Sequence, residues 1–293
     1  MAAYVKFWGT RGSIPTPGSW TRVYGGNTSC VEIRFDDTIF ICDAGSGIRE
    51  LGKDLVARDP MPKEVHLFIT HTHWDHIQGF PFFDPAHFPD FKIHLYDVDS
   101  NSSSRHSLIS GQMTSSYFPV KFGDLKAGIQ SRTIEGGEQM VAGVKVRCFP
   151  TNHPGGCFGY SFEKDGKKVC YVTDNELELT PQDKFPDPLN EGRLRIVPEQ
   201  MLQNVVDADL LIMDAQYDEE EYSRKAGWGH SSCFSVTDLG IQAGVRALAL
   251  FHHDPECSDE EVDHKVETCR QRAVKFESAI IIFASREGVE LKV

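Results

Sequence analysis

Thr70-His71-Thr72-His73-Trp74-Asp75-His76 is the stretch on which the reading of this chain turns. It follows Val65-His66-Leu67-Phe68-Ile69, a β-branched and apolar run that reads as a buried strand. It precedes Ile77-Gln78-Gly79-Phe80-Pro81, where Gly and Pro punctuate the backbone. Three histidines and a carboxylate therefore fall within six residues where a core strand meets a loop. Imidazole and carboxylate are the donors that borderline divalent metals such as zinc prefer. A polar loop that happens to be His-rich is the plainer reading, but functional residues gather on loops held by a rigid strand. The stretch is read as a metal site.

The same device returns four times downstream. Val144 to Phe149 alternates as a strand and runs into Pro150-Thr151-Asn152-His153. An Asp165-Gly166 turn marks a hairpin whose second strand, Lys168 to Thr173, ends at Asp174. Leu210 to Met213 runs into Asp214, and Val245 to Phe251 runs into His252-His253. Ligand sites in α/β proteins gather where strand carboxyl ends meet loops, so five such ends point to one shared site.

Composition sets the frame. A chain of 293 residues makes one large or two small domains, and 40% hydrophobic with 25% charged residues is ordinary for a soluble globular protein. No apolar run approaches the ~20 residues of a membrane helix, and Met1 to Lys6 lacks a signal-peptide core, so no membrane partner and a cytoplasmic location are expected. Eight cysteines without a Cys-x-x-Cys pair, several inside apolar runs, read as reduced, buried thiols. Thirty basic against 43 acidic residues leave a formal net charge of −13. Broad nucleic-acid binding is therefore expected to be unlikely, because phosphate recognition needs Lys and Arg. A homodimer stays open.

The remaining stretches carry weaker signals. Tyr4 to Trp8 reads as a strand ending in Gly9-Thr10-Arg11-Gly12, either a plain turn or a loop offering N–H groups and Arg11 to an anion. Cys30–Phe35 and Thr38–Cys42 flank Asp36-Asp37 as a hairpin, and Ile48 to Val56 reads as helix. Asp43, between them, is read as capping that helix in preference to orienting a ligand histidine. His87, His94 and His106 lie in the poorly readable stretch 84–135 and are taken as surface or structural histidines. The segments 100–104 and 180–198 read as loops, and 218–222 as acidic and exposed. Helices are expected over 199–206, over 234–244 after a Ser231 or Ser232 cap, and from Ser258 to about Val274. Early hairpins followed by strands alternating with helices imply a layered α/β protein, sheets inside and helices outside.

His71-x-His73-x-Asp75-His76, then His153, Asp174 and a late strand-end histidine, resembles the metallo-β-lactamase fold superfamily of dinuclear metallohydrolases over about residues 4 to 285. The resemblance implies an αββα four-layer sandwich, two mixed β-sheets with outer helices, with 1–293 as a single hydrolase domain. It implies two divalent metal ions, zinc by default and manganese or iron as alternatives. His71, His73 and His153 would hold one, Asp75, His76 and His252 the other, with Asp174 bridging and His253 the fallback for His252. Met213-Asp214-Ala215-Gln216, Gly229-His230-Ser231-Ser232, Gly9-Thr10-Arg11-Gly12 and Asn27-Thr28-Ser29-Cys30 resemble segments of the ribonuclease Z and cyclic phosphodiesterase branch. That branch implies a phosphodiesterase acting through a metal-bridging hydroxide. Asp75 would orient the nucleophile, His230 backed by Asp214 would serve as general acid, and Arg11 and Asn27 would touch substrate. His230 taken alone would be a helix-cap histidine.

Ribonuclease Z enzymes use an inserted basic arm, and no long Gly/Lys-rich insertion is present here. The expected substrate is therefore a small phosphodiester, a cyclic nucleotide or cyclic sugar phosphate. RNA 3′ processing is the alternative, and a non-catalytic metal-bound sensor or scaffold is the alternative of another class.

Overall fold

Alternation of apolar residues draws the strands into two sheets of seven in this computed structural model, which describes residues 3–98, 105–134, 137–177 and 192–293. The first sheet holds β1 (Ala3–Gly9), β2 (Cys30–Phe35), β3 (Thr38–Cys42), β4 (Glu64–Phe68), β5 (Lys92–Val98) and β6 (Gly128–Ile134) in chain order, with β14 (Glu290–Lys292) on the edge beside β1. The second runs through β7 (Glu138–Val141), β8 (Val144–Thr151), β9 (Cys157–Lys164), β10 (Lys167–Val172), β11 (Leu210–Asp214), β12 (Ala247–Phe251) and β13 (Ile281–Ala284).

Both sheets are mixed, and in the same way. β1 to β3 pair antiparallel and β3 to β6 parallel; β7 to β10 pair antiparallel and β10 to β13 parallel. The hairpin expected at Asp165-Gly166 is the β9–β10 turn, with both residues in the left-handed region at φ 51° and 75°.

Phe7, Ile33, Phe40 and Phe68 of the first sheet face Tyr160, Phe162, Tyr171 and Phe251 of the second in one apolar interior. The Phe162 ring centroid lies 5.2 Å from Phe40 and 5.3 Å from Phe68, edge-on to the latter. The outer faces are covered by helices. Ile48, Leu51 and Leu55 of α1 (Ile48–Ala57) lie over Ile41 and Leu67. After the four-residue α2 (Trp74–Ile77) and α3 (Arg105–Gly111), the second sheet is covered by three helices. These are α4 (Glu199–Val205), α6 (Cys233–Gln242) and α7 (Asp259–Lys275), which pack Met201, Val236, Leu239 and Val266 on Leu211 and Leu248. Strands buried on both faces explain why β4 and β11 read as continuous apolar runs. The layers are helix, sheet, sheet, helix, as the αββα expectation has it.

Ser232 and not Ser231 caps α6, accepting from Ser235 N. The segment 218–222 is corrected: Asp218 forms a capping box with Glu221 on α5 (Glu219–Lys225), and Tyr222 is buried. Loop expectations for 100–104 and much of 180–198 lie outside the described residues. All eight cysteines are buried and unpaired, and no helix among the described residues is long and apolar enough to cross a membrane.

Candidate active site

The parallel strands of each sheet share a direction, so their carboxyl ends open on one edge, and the loops that follow them meet there. After β4, the loop to α2 carries His71, His73, Asp75 and His76. From the second sheet come His153 after β8, Asp174 after β10, Asp214 at the end of β11 and His252 after β12.

Asp174 sits at the centre, its two oxygens facing opposite ways. Oδ2 lies 3.5 Å from His71 Nε2 and 3.6 Å from His153 Nε2, and the latter is 3.2 Å from His73 Nδ1. Oδ1 lies 3.1 Å from His76 Nε2 and 3.2 Å from His252 Nε2. Both of those nitrogens also approach Asp75 Oδ2, at 3.2 and 3.3 Å. The donors thus fall into His71/His73/His153/Asp174 and Asp75/His76/His252, with a third, overlapping group of Asp174, Asp214, His230 and His252; within each group the ligand atoms lie within 4.8 Å of one another.

The donors fit divalent cations. His71 Nε2 and His76 Nε2 are buried without a hydrogen-bond partner, an arrangement that is costly unless something else takes the lone pair. The opposite nitrogens are spoken for. His76 Nδ1 lies 2.8 Å from Asp43 Oδ2, and His153 Nδ1 must donate to the Gly229 carbonyl at 2.9 Å, which leaves each Nε2 as an acceptor. Burial, followed by neighbouring imidazoles, holds His71 well below the ordinary histidine range. Burial works to raise Asp75 and Asp174, but the surrounding imidazoles outweigh it and hold both carboxyls well below the usual range. At His76 burial opposes charge, yet Asp75, Asp174 and Asp43 outweigh it and raise the pKa. Those three carboxylates demand positive charge at that point, which a metal ion supplies as well as a proton does.

Beside these donors lies a second unit. His230 Nδ1 is 2.6 Å from Asp214 Oδ2, and its ring stacks on His252 at 5.1 Å. Asp214 is fully buried and also accepts from Asn175 N and Gln216 N, which fixes its orientation. Burial opposes the charged form of His230, but Asp214 more than compensates and raises its pKa to about 9.

Three expectations need correction or refinement. Asp43 does not cap α1, whose N-cap is Gly47. In the left-handed conformation at φ 63°, Asp43 accepts from Thr70 N, His76 and Tyr171 Oη, tying the two sheets together under the site. Arg11 does not face a substrate. Its side chain is wholly buried and spent on the carbonyls of Gly25, Asp254 and Cys257, because it staples the first loop to the β12–α7 connection. Asn27 is likewise engaged by Glu287 and Ser46. What the Gly-rich loop gives the site is backbone: Ser13 N–H donates to Asp75 Oδ2 at 2.7 Å, and Gly12 lies so close to the His252 ring that a Cβ would sit 2.5 Å from it. His253 points away, its Nε2 donating to the Ser285 carbonyl at 3.0 Å, with burial and Arg11 lowering its pKa to about 3.

Sequence reasoning missed Glu176. This buried carboxylate accepts from Tyr222 Oη, Gly227 N and Gly229 N, and so shapes the loop that supplies the His153 acceptor and leads into His230. Its position two residues beyond Asp174 was the available signal. Gly229 itself is at φ 90°, and a Cβ there would strike His153 at 2.4 Å, so the loop needs glycine.

Comparison with known proteins agrees with this fold. Residues 38–253 match the family model described as the beta-lactamase superfamily domain. A ribonuclease Z of Haloarcula marismortui is 25% identical over 285 residues, 86% of this chain and 86% of its own. Among solved structures, the metallo-β-lactamase fold protein YhfI of Bacillus subtilis aligns at TM-score 0.70 with 14% identity over 100% and 99% of the two chains. The short form of human tRNase Z aligns at TM-score 0.63 with 18% identity over 98% of each.

The relatives overturn the expectation that broad nucleic-acid binding is unlikely, since proteins named ribonuclease Z match most of the chain. Net charge misled because it counts carboxylates wherever they lie. Asp43, Asp75, Asp174 and Asp214 are buried in the site and say nothing of the surface an RNA would meet. The chain belongs to the beta-lactamase superfamily, has that superfamily's fold and is a metal-dependent hydrolase.

Proposed function

We propose that this protein is a ribonuclease Z-like endonuclease that cuts a phosphodiester of RNA at a 3′-processing site. The observation that carries the reading is the buried Asp214–His230 pair at 2.6 Å beside two sets of metal donors. Hydrolysis of a phosphodiester needs a proton donor for a poor alkoxide leaving group, and a histidine held basic by a carboxylate is suited to that. The curated ribonuclease Z relatives favour RNA over the small cyclic substrate expected from the sequence.

His71, His73 and His153 would hold one ion, Asp75, His76 and His252 the other, and Asp174 both. Zinc is proposed for this imidazole-rich set, with manganese or iron as alternatives. Bound ions would supply Lewis-acid chemistry and a lowered pKa for water. Asp75, fixed by Ser13 N–H, orients the attacking group. His230, protonated at neutral pH with Nδ1–H given to Asp214, releases its Nε2 proton to the leaving oxygen. Ligands drawn from both sheets support treating 1–293 as one hydrolase domain.

Elemental analysis paired with a substrate panel tests this. Trimming of a precursor transfer RNA is the expected result. Cleavage of cyclic mononucleotides alone would return the small-substrate reading, and silence on all phosphodiesters after metal refilling, bis-p-nitrophenyl phosphate included, would favour a sensor or scaffold.

A further inference from the structure

Two tryptophans adjoin residues of the site along the chain, and the chemistry so far gives neither a task. Trp74 and Trp228 are each 63% exposed. Neither indole has a hydrogen bond or ring contact among the described residues. Exposed apolar side chains scattered singly are ordinary, so what singles these two out is their place beside His73 and Gly229.

Their placement is specific. Trp74 is the first residue of α2, directly after His73, and the same helix carries Asp75 and His76. Trp228 lies between Gly227 and Gly229, both in the left-handed region, at φ 91° and 90°. Their amides are held by Glu176, which leaves the indole projecting from a pinned loop. Contacts among the neighbouring residues join the two segments. His73 Nδ1 is 3.2 Å from His153 Nε2, and His153 Nδ1 is 2.9 Å from the carbonyl of Gly229, next to Trp228. One tryptophan therefore comes from each sheet's loops, and the segments that carry them meet through His73 and His153.

We propose that Trp74 and Trp228 are stacking platforms for the nucleobases on either side of the bond that is cut. Trp228, two residues before His230, serves the leaving nucleoside; Trp74 serves the nucleoside of the attacked phosphate. An indole face stacks on any base, so the pair positions RNA without reading its sequence. The proposal rests on the RNA reading above.

The test uses the metal-loaded protein and a precursor RNA, intact or with a single abasic nucleotide on one side of the cleavage point. Trp228→Ala is expected to raise KM on the order of 5- to 150-fold, the range base–aromatic stacking spans, with Trp228→Phe keeping most of the affinity. An abasic leaving nucleotide should cost the wild type the same factor and Trp228→Ala nothing further. Trp74→Ala should behave likewise for the other side. Equal KM values for wild type and both alanine variants would overturn the proposal, as would an alanine penalty that persists undiminished on the matching abasic RNA. A wild-type protein that leaves every RNA uncut would sink the RNA reading and this inference together, whereas cleavage indifferent to the tryptophans sinks this inference alone.

Discussion

His230 has its ring between a carboxylate on one side and the imidazoles of His153 and His252 on the other, and its chemistry can be tested without turnover. In the metal-free protein its NMR titration should centre near pH 9, and Asp214→Asn should bring it down toward or below the ordinary 6.5. The sign for stability follows. A pKa raised in the folded state adds stability that is fully present below about 6.5 and is lost as pH rises through about 9. With substrate, His230→Ala should lower kcat by ~10²–10⁴-fold while metal content is unchanged. Metal lost from that variant would instead make the residue a ligand. At this scale the sequence was most legible where residues repeat a spacing: His71 to His76 declare themselves. Asp43 and Glu176 do not, because one acid on one turn looks like a cap or a solvated charge until its partners are seen.

The loop between α5 and α6 is the element on which His153 and His230 both depend. Glu176 accepts from two of its amides, Gly227 and Gly229, and from Tyr222 Oη of α5, and Gln in its place would turn an N–H₂ toward an N–H. Glu176→Gln is expected to cost 10–100-fold in activity or metal affinity, the usual scale for groups that orient ligands. A fall in Tm with kcat, KM and metal affinity all unchanged would show that the carboxylate only holds the fold. Elements with strong alternation or a good cap were legible: β2–β3, β9–β10 and the capped α7 stand where the pattern places them. The stretch 84–135 was not, because its short 3₁₀ turns have no period. Its strands β5 and β6 are legible only as additions to a sheet edge, and β6 is largely exposed.

The whole molecule is closed at one seam. Four of the seven proposed ligands come from the first sheet's loops and three from the second's, and beneath them the hydrogen bond from Tyr171 Oη to Asp43 crosses between the sheets at 2.8 Å. Metal bound only by the folded chain stabilises it by mass action, about 2.7 kcal/mol per site at a free concentration one hundred times Kd. Chelation should therefore lower Tm in scanning calorimetry, and refilling should restore it. An unchanged Tm would mean that the ligands do not bridge the sheets. The αββα layering was legible through the resemblance, whereas the likeness between the two sheets was not, because it lies in strand order and direction and not in residue identity.

That likeness extends to the site. Asp43 follows β3 by one residue and Asp174 follows β10 by two, each after the strand where its sheet changes from antiparallel to parallel, and each is left-handed, at φ 63° and 46°. One lies among the donors and the other supports them from below, accepting from His76 and Tyr171, so the same backbone turn serves one sheet as a ligand and the other as a brace.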